Sequence, residues 1–508
     1  MEKTKTHQIL PKEWADREIL RDKGQFWTPS WVAEAMVAYV ANNTDLIFDP
    51  ATGRGAFFEA LLKLGKSDIS FWGTDIDDDV LSDKIYKHEK AFVEKRDFIM
   101  RPPQRKFKSI IANPPYIRHH RIDTDTKTFL KQLSTKIIGN PIDGRAGYHI
   151  YFLIQALNLL EKNGRLAFIM PADTCEGKFA KVLWQWISEN FCIDCAIIFD
   201  EQATPFPNVD TNAIILLIKN SQPKNTLFWV KANESYTPGL FDFISSDFQQ
   251  HHCETIEITS RNLKEAISTG LSRRPQSNQG FKFHLNDFAN VMRGIATGSN
   301  EFFFLTSEQV KAFDIPQAFL KRAIGRTKDA TQSILTVADI ENLDKKHRPT
   351  LLFSPNGHKT YPESVANYLK LGENLGLPDR ALLKQRNPWY KMEERKVPPL
   401  LFAYLGRRNT RFIKNEANVI PLTCFLCVYP IYDDKAYIEN LWQALNHPET
   451  LENLRLVGKS YGSGAIKVEP SNLNRLPIPE HIVEKFQIQR PYKTKDGQLN
   501  LFRFPEIE

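Results

Sequence analysis

The sequence predicts an α/β chain in two parts: a first half of parallel βαβ units and a second half of mixed α/β structure. Three observations carry this. Apolar, β-branched runs alternate with helical patterns as far as Ile218. Closely spaced glycines follow one such run and precede a helix, the setting in which backbone approaches a ligand. After Ile218 the alternation fades into an aromatic-rich, basic region with short strands and scattered prolines.

In chain order, residues 30–37 have an N-capping serine and helical spacing. Leu46-Ile47-Phe48 reads as a strand, followed by Asp49-Pro50-Ala51-Thr52-Gly53-Arg54-Gly55 and then the helical pattern from Phe57. The glycine pattern is G-x-G-x-x-F, and a bulky Phe at its last position argues against a dinucleotide phosphate packed there. Asp49 beside the loop suits a ligand with an amino group. Phe71-Trp72-Gly73-Thr74-Asp75 is a strand ending in a carboxylate, roughly 20 residues beyond the glycines, where an acid reaches ribose hydroxyls. Asp97-Phe98 ends the next strand-like segment and suits an adenine amino group and ring. Residues 77–79 read as a helix cap before Val80-Leu81.

Asn113-Pro114-Pro115-Tyr116 follows the apolar run Ile110-Ile111-Ala112. Two prolines stiffen the turn, so the Asn113 side-chain oxygen and the Pro114 carbonyl can converge. Two such acceptors suit an exocyclic amine, whose lone pair they would free for attack, and Tyr116 can stack on the ring that carries it. Residues 117–145 are polar and basic and read as a loop or short helix beside this turn. Residues 150–160 read as a helix, residues 164–171 as a buried strand, and residues 245–280 as a linker.

These residues, in this order, resemble the gamma-class adenine-N6 DNA methyltransferases, the TaqI-like restriction–modification methylases. Gly24-Gln25-Phe26-Trp27-Thr28-Pro29 is similar to the N-terminal motif of that family, which places it ahead of the glycine loop. The resemblance implies a Rossmann-like S-adenosylmethionine-dependent methyltransferase domain over residues 1–245 and a target-recognition domain over 246–508. It implies S-adenosyl-L-methionine contacts at Phe26, Thr28, Asp49, Ala51, Gly53, Gly55, Asp75, Asp97 and Phe98. The catalytic tetrapeptide is then Asn113, Pro114, Pro115 and Tyr116, with Phe206 as the aromatic that closes on a flipped base. His149 departs from the pattern, since many relatives carry an acid there. Related N-P-P-Y enzymes act on RNA or on protein glutamine, and a non-catalytic nucleic-acid-binding relative is a further alternative. The large basic second half favours DNA.

Composition agrees. The 508 residues carry a formal net charge of +7, with 42% hydrophobic and 25% charged residues, as in an ordinary globular protein. A basic excess suits a polyanionic partner. Nothing approaches a membrane span and the start lacks a signal peptide's apolar region, so a cytoplasmic monomer is expected, acting on double-stranded DNA beside a cognate restriction endonuclease. The pairs Cys192/Cys195 and Cys424/Cys427 lie inside apolar runs and read as strand residues, not zinc ligands, so no metal is expected. Expected DNA contacts are Arg118, His119 and Arg121 after the tetrapeptide, and Arg386, Arg407, Arg408 and Arg411 in the second half, where cations interleave with Trp389, Tyr390, Phe402 and Phe412.

Overall fold

The computed structural model describes residues 26–175, 180–206, 212–250, 253–275, 280–358, 360–403, 411–460 and 466–490. The chain forms two compact units, and the main division falls after Pro275.

The first unit is built on nine strands: β1 (Leu46–Asp49), β2 (Ser70–Asp75), β3 (Ala91–Lys95), β4 (Phe107–Ala112), β5 (Leu160–Pro171), β6 (Cys192–Phe199), β7 (Ala213–Lys219), β8 (Thr226–Ala232) and β9 (Ile256–Asn262). Their order in the sheet is β3-β2-β1-β4-β5-β7-β6-β8-β9. The chain moves outward from β1 to β3, then returns to place β4 on the other side of β1, with Phe48 opposite Ile110. Both strands run in the same direction, so a crevice opens beyond their carboxyl ends. Asp49 and Asn113 lie at the two lips of that crevice.

The central strands read as apolar runs because both faces are covered. On β4, Ile110 and Ala112 enter one core and Ile111 the other; on β5, Leu166, Phe168 and Met170 alternate with Ala167 and Ile169. Helices α1 (Ser30–Val40) and α2 (Ala56–Lys63) cover one face through Val32, Met36, Phe58 and Leu61. On the other face, α3 (Thr124–Ile138) contributes Leu130, and α4 (Tyr148–Asn158) contributes Ile150, Leu153 and Leu157. Ser30 is the first residue inside α1, and Pro29 holds the capping position.

Three expectations are corrected. β7 runs antiparallel between β5 and β6, so the region up to Ile218 is not parallel throughout. A strand buried on both faces looks the same in sequence in either direction. The basic segment after the tetrapeptide holds a 15-residue helix, α3, capped by Asp123, whose carboxylate accepts from the Thr126 amide. The boundary lies beyond 245: β9 pairs with β8 along seven residues and leads directly into a helix, α5 (Leu263–Thr269), capped by Asn262. β9 is an edge strand with only two isoleucines, so its sequence resembles a linker.

The second unit has a five-stranded sheet in the order Ala289–Arg293, Phe425–Pro430, Leu400–Ala403, Arg411–Asn415, Ile334–Leu335. A four-stranded sheet has the order Phe304–Leu305, Leu351–Phe353, Leu320–Ile324, Ile420–Pro421. Cys192 and Cys195 lie on β6 and Cys427 on a strand of the five-stranded sheet; burial raises the Cys192 and Cys427 thiols to about 11.

The Arg261 side chain is fully buried at the end of the first unit, donating to Glu265, to the Thr269 hydroxyl and to the carbonyls of Leu271 and Arg273. Arg261→Ala should cost about 3–5 kcal/mol, because it strands these acceptors. A urea midpoint, followed by far-UV circular dichroism, that does not fall would contradict this role.

Candidate active site

The glycine loop is shaped by demands that only glycine meets. Gly53 and Gly55 sit at φ 51° and 80°, the left-handed region, and a Cβ on Gly55 would lie 2.8 Å from Ile85. Gly73 on β2 supports the loop from below, where a Cβ would come within 2.7 Å of the Thr52 hydroxyl. Two acids hold the loop's backbone. Asp49 Oδ1 accepts from the Ala51 amide and Asp75 Oδ2 from the Gly53 amide, each at 3.0 Å. Tyr86, absent from the sequence reading, adds a 2.7 Å bond from its hydroxyl to the Gly53 carbonyl.

Beyond these strand ends lies a cavity of about 810 Å³. Phe26, Thr28, Ala51, Gly53 and Asp75 border it, as do Asp97 and Phe98. Asp49 and Gly55 do not: Asp49 is buried behind the loop, and Gly55 makes the turn into α2. Their contribution passes through the loop's shape. Asp97 Oδ1 accepts from the amides of Ile99 and Met100, both at 2.9 Å, so it caps a turn while facing the cavity. The motifs did not single out Arg54, Ile76, Tyr148 and Phe152, which also line the walls. Arg54 stacks on Trp27 at 4.5 Å. The apolar Ile76, 66% exposed, follows the ribose-type acid directly, and that adjacency was the available signal.

Carboxylates dominate the rim: Glu59, Asp75, Asp77, Asp78, Asp79 and Asp97 outnumber Arg54 and Arg96. Burial raises the Asp49 carboxyl well above its usual range, and the charge of Asp75 raises it further; burial also raises Asp75. Asp49 Oδ2 is buried without a partner among the described residues. Such a site favours a ligand bearing positive charge and hydroxyl or amino donors.

At the other lip, Asn113 follows β4. Its Nδ2 donates to the Phe26 carbonyl at 2.6 Å and to the Thr28 hydroxyl at 3.0 Å. A carbonyl only accepts, so the amide orientation is set by chemistry. Asn113 Oδ1 is therefore turned the other way, buried and without a partner among the described residues. Asn113 and Pro115 border the cavity, whereas Pro114 is buried.

Tyr116 packs against Phe26 at 5.4 Å and 30°, and against His149 at 5.8 Å and 73°. Its hydroxyl is buried without a partner among the described residues, and burial raises its pKa well above the ordinary value. Phe206 is 6.1 Å from Tyr116 at 79°. Phe26 lies against both, 5.8 Å from Phe206. His149 shares a 2.8 Å hydrogen bond with Thr174 through Nε2, while its buried Nδ1 has no partner among the described residues.

The expected DNA contacts are scattered. Arg118 is exposed, and His119 and Arg121 are half-buried in a single helical turn. Arg386 donates to the carbonyls of Thr297 and Ala296 at 3.1 and 2.5 Å, and Arg411 to those of Gln332 and Ala330. Both guanidinium groups are staples within the second unit, and burial lowers both pKa values. Arg395 and Lys414 are likewise engaged with carbonyls or carboxylates, leaving Lys384, Lys391 and Lys396 as the exposed cations among the described residues of that stretch. A basic stretch cannot reveal which cations fold inward. Arg407 and Arg408, like Gly24 and Gln25, lie outside the described residues.

Residues 54–206 match the family model "Eco57I restriction-modification methylase", and residues 269–499 match "Type II methyltransferase M.Eco57I, C-terminal domain". The chain is 27% identical over 489 residues to Type II methyltransferase M.AccI of Acinetobacter calcoaceticus, covering 94% of this chain and 88% of that protein. It is 23% identical over 474 residues to M.XamI of Xanthomonas campestris pv. amaranthicola, covering 90% and 85%. Among solved structures, the type IIL restriction-modification enzyme MmeI in complex with DNA superposes with a TM-score of 0.52 at 12% identity, over 91% of this chain and 64% of that one. A DrdV–DNA complex gives 0.51 at 11% identity, over 92% and 56%. This chain thus spans less than two thirds of those two longer chains, and the likeness to them is one of fold.

Burial lowers the pKa of His149 from 6.5 to about 3. An unfolded chain takes up this proton near pH 6.5 and the folded one only near 3, so protons favour unfolding and stability falls across that window as pH drops. His149→Gln does not titrate and should flatten part of the fall. Urea midpoints at pH 7 and 5 that change equally in both proteins would contradict this.

Proposed function

We propose that this chain, a DNA methyltransferase of the restriction–modification kind, moves the methyl group of S-adenosylmethionine to N6 of an adenine rotated out of double-stranded DNA. The observation that carries the reading is the Asn113 amide, whose donors are spent on Phe26 and Thr28 while its buried oxygen has no partner among the described residues. A buried, unpaired acceptor beside a cavity wall fits a ligand that brings an N–H. The acidic cavity fits the other reactant, which carries a sulfonium, an amino group and ribose hydroxyls. Asp75 would take the hydroxyls, Asp97 and Phe98 the adenine moiety, and Phe26 and Thr28 the methionine end. When bound, this cofactor supplies an electrophilic methyl group, so the protein's task is positioning.

In this reading one N6–H donates to Asn113 Oδ1 and the other to the Pro114 carbonyl. Both bonds draw the nitrogen lone pair out of conjugation with the ring and stabilise the positive charge that develops as the carbon–nitrogen bond forms. This is electrostatic preorganisation; the surplus proton is acidic and leaves to water afterwards. Removing the base from the stack costs a few kcal/mol, which ring contacts with Tyr116 offset in part. Modification beside a cognate restriction endonuclease is the biological setting that the relatives suggest.

The test is to express the chain and Asn113→Ala in a host lacking adenine methylation and to sequence the DNA by a method that detects N6-methyladenine. The intact chain should mark one short motif, and the variant should lose about a hundredfold or more in turnover while keeping its cofactor affinity. Unmodified DNA from a folded, cofactor-binding protein would overturn the reading and direct attention to RNA or protein glutamine.

A further inference from the structure

Among the described residues three rings pack on Tyr116, and they differ in how firmly they are held. His149 is buried and pinned to Thr174. Phe206 is 6% exposed and meets Tyr116 nearly edge-on. Phe26 is half-buried, borders the cavity, and lies on Tyr116 with its plane tilted by 30°. Its centroid distances of 5.4 Å to Tyr116 and 5.8 Å to Phe206 both fall within the range of aromatic packing, about 4.5–7 Å. One ring therefore already contacts both aromatics assigned to the target base.

We propose that the Phe26 ring fills the place of the target base in the free protein and must turn aside for a base to enter. The inference rests on the adenine-methylation reading above. It makes Phe26 a positioning residue with two separable parts. Its carbonyl orients the Asn113 amide, and that bond belongs to the backbone. Its side chain occupies the slot and can rotate about χ1 without breaking the backbone bond. The protein thus keeps its aromatic slot closed to water while the acceptor is already aimed. An incoming ring must compete with Phe26 for Tyr116, and it gains an advantage only if it also carries an amine for Asn113 Oδ1. A purine with an exocyclic amine satisfies both conditions.

Phe26→Ala keeps the carbonyl and removes the ring, so the slot should accept a free base. The probe is 2-aminopurine, whose fluorescence is quenched on stacking. Phe26→Ala should bind and quench it about tenfold more tightly than the native protein, since an internal competitor is gone. Phe26→Leu, a milder change, should lie between the two, and Tyr116→Ala in the Phe26→Ala background should abolish the gain. With DNA from a host lacking adenine methylation, Phe26→Ala should lower KM for DNA, a direction that loss of a purely structural ring would not produce. The inference is overturned if Phe26→Ala and Phe26→Leu, both folded by far-UV circular dichroism, show no gain in 2-aminopurine affinity. Should the native chain methylate adenine without that gain, the inference falls and the function stands. A gain in base affinity without adenine methylation would overturn the function and leave the slot.

Discussion

The hydrogen bond from Asn113 Nδ2 to the Phe26 carbonyl joins segments 87 residues apart, and the candidate site depends on it. It ties the chain ahead of α1 to the end of β4, across the crevice where the strand order reverses. A buried amide bond of this kind contributes about 0.5–1.5 kcal/mol, whereas an unpaired buried oxygen on the same side chain costs about 1–3 kcal/mol. The side chain therefore gains little from its own contacts. The unmet acceptor is a local cost that an N–H donor can remove, which is how a binding site differs from a packing contact.

The same logic extends to the opposite lip. Asp49 and Asp75 shape the glycine loop through amide bonds, yet burial disfavours their charged forms. Carboxylates in that position stabilise a fold less than apolar residues would, and their value lies in what they attract. The nine-stranded sheet supplies the rigidity that holds both lips. Phe48 and Phe107 stack at 4.2 Å beneath them, inside the core that β1 and β4 share.

Much of this arrangement was legible in the sequence. Strand runs such as Ile110-Ile111-Ala112 and the left-handed glycines announce themselves through hydrophobic pattern and backbone restriction, both local properties. The motif residues from Phe26, Asp75, Asp97 and Asn113 gather around one cavity, as their strand-end positions imply. Other features depend on tertiary context. The direction of β7 leaves no trace in a strand buried on both faces, and edge strand β9 reads as a linker because water replaces half its packing. Whether an arginine points outward is likewise invisible: Arg386 and Arg411 read as phosphate contacts and serve as carbonyl staples. The packing of Phe26 on Tyr116 also escaped the sequence, since ring orientation depends on how distant segments meet.

The account's central claim is that the Asn113 oxygen, fixed in advance, receives the target amine. The most direct measurement is a crystal structure of the protein with a DNA duplex bearing its motif and a non-transferring analogue of S-adenosylmethionine. The account predicts an adenine outside the helix, its N6 within hydrogen-bond distance of Asn113 Oδ1, and Nδ2 still on the Phe26 carbonyl. An adenine still stacked in the duplex, or an Asn113 amide turned to present Nδ2 to the base, would contradict it.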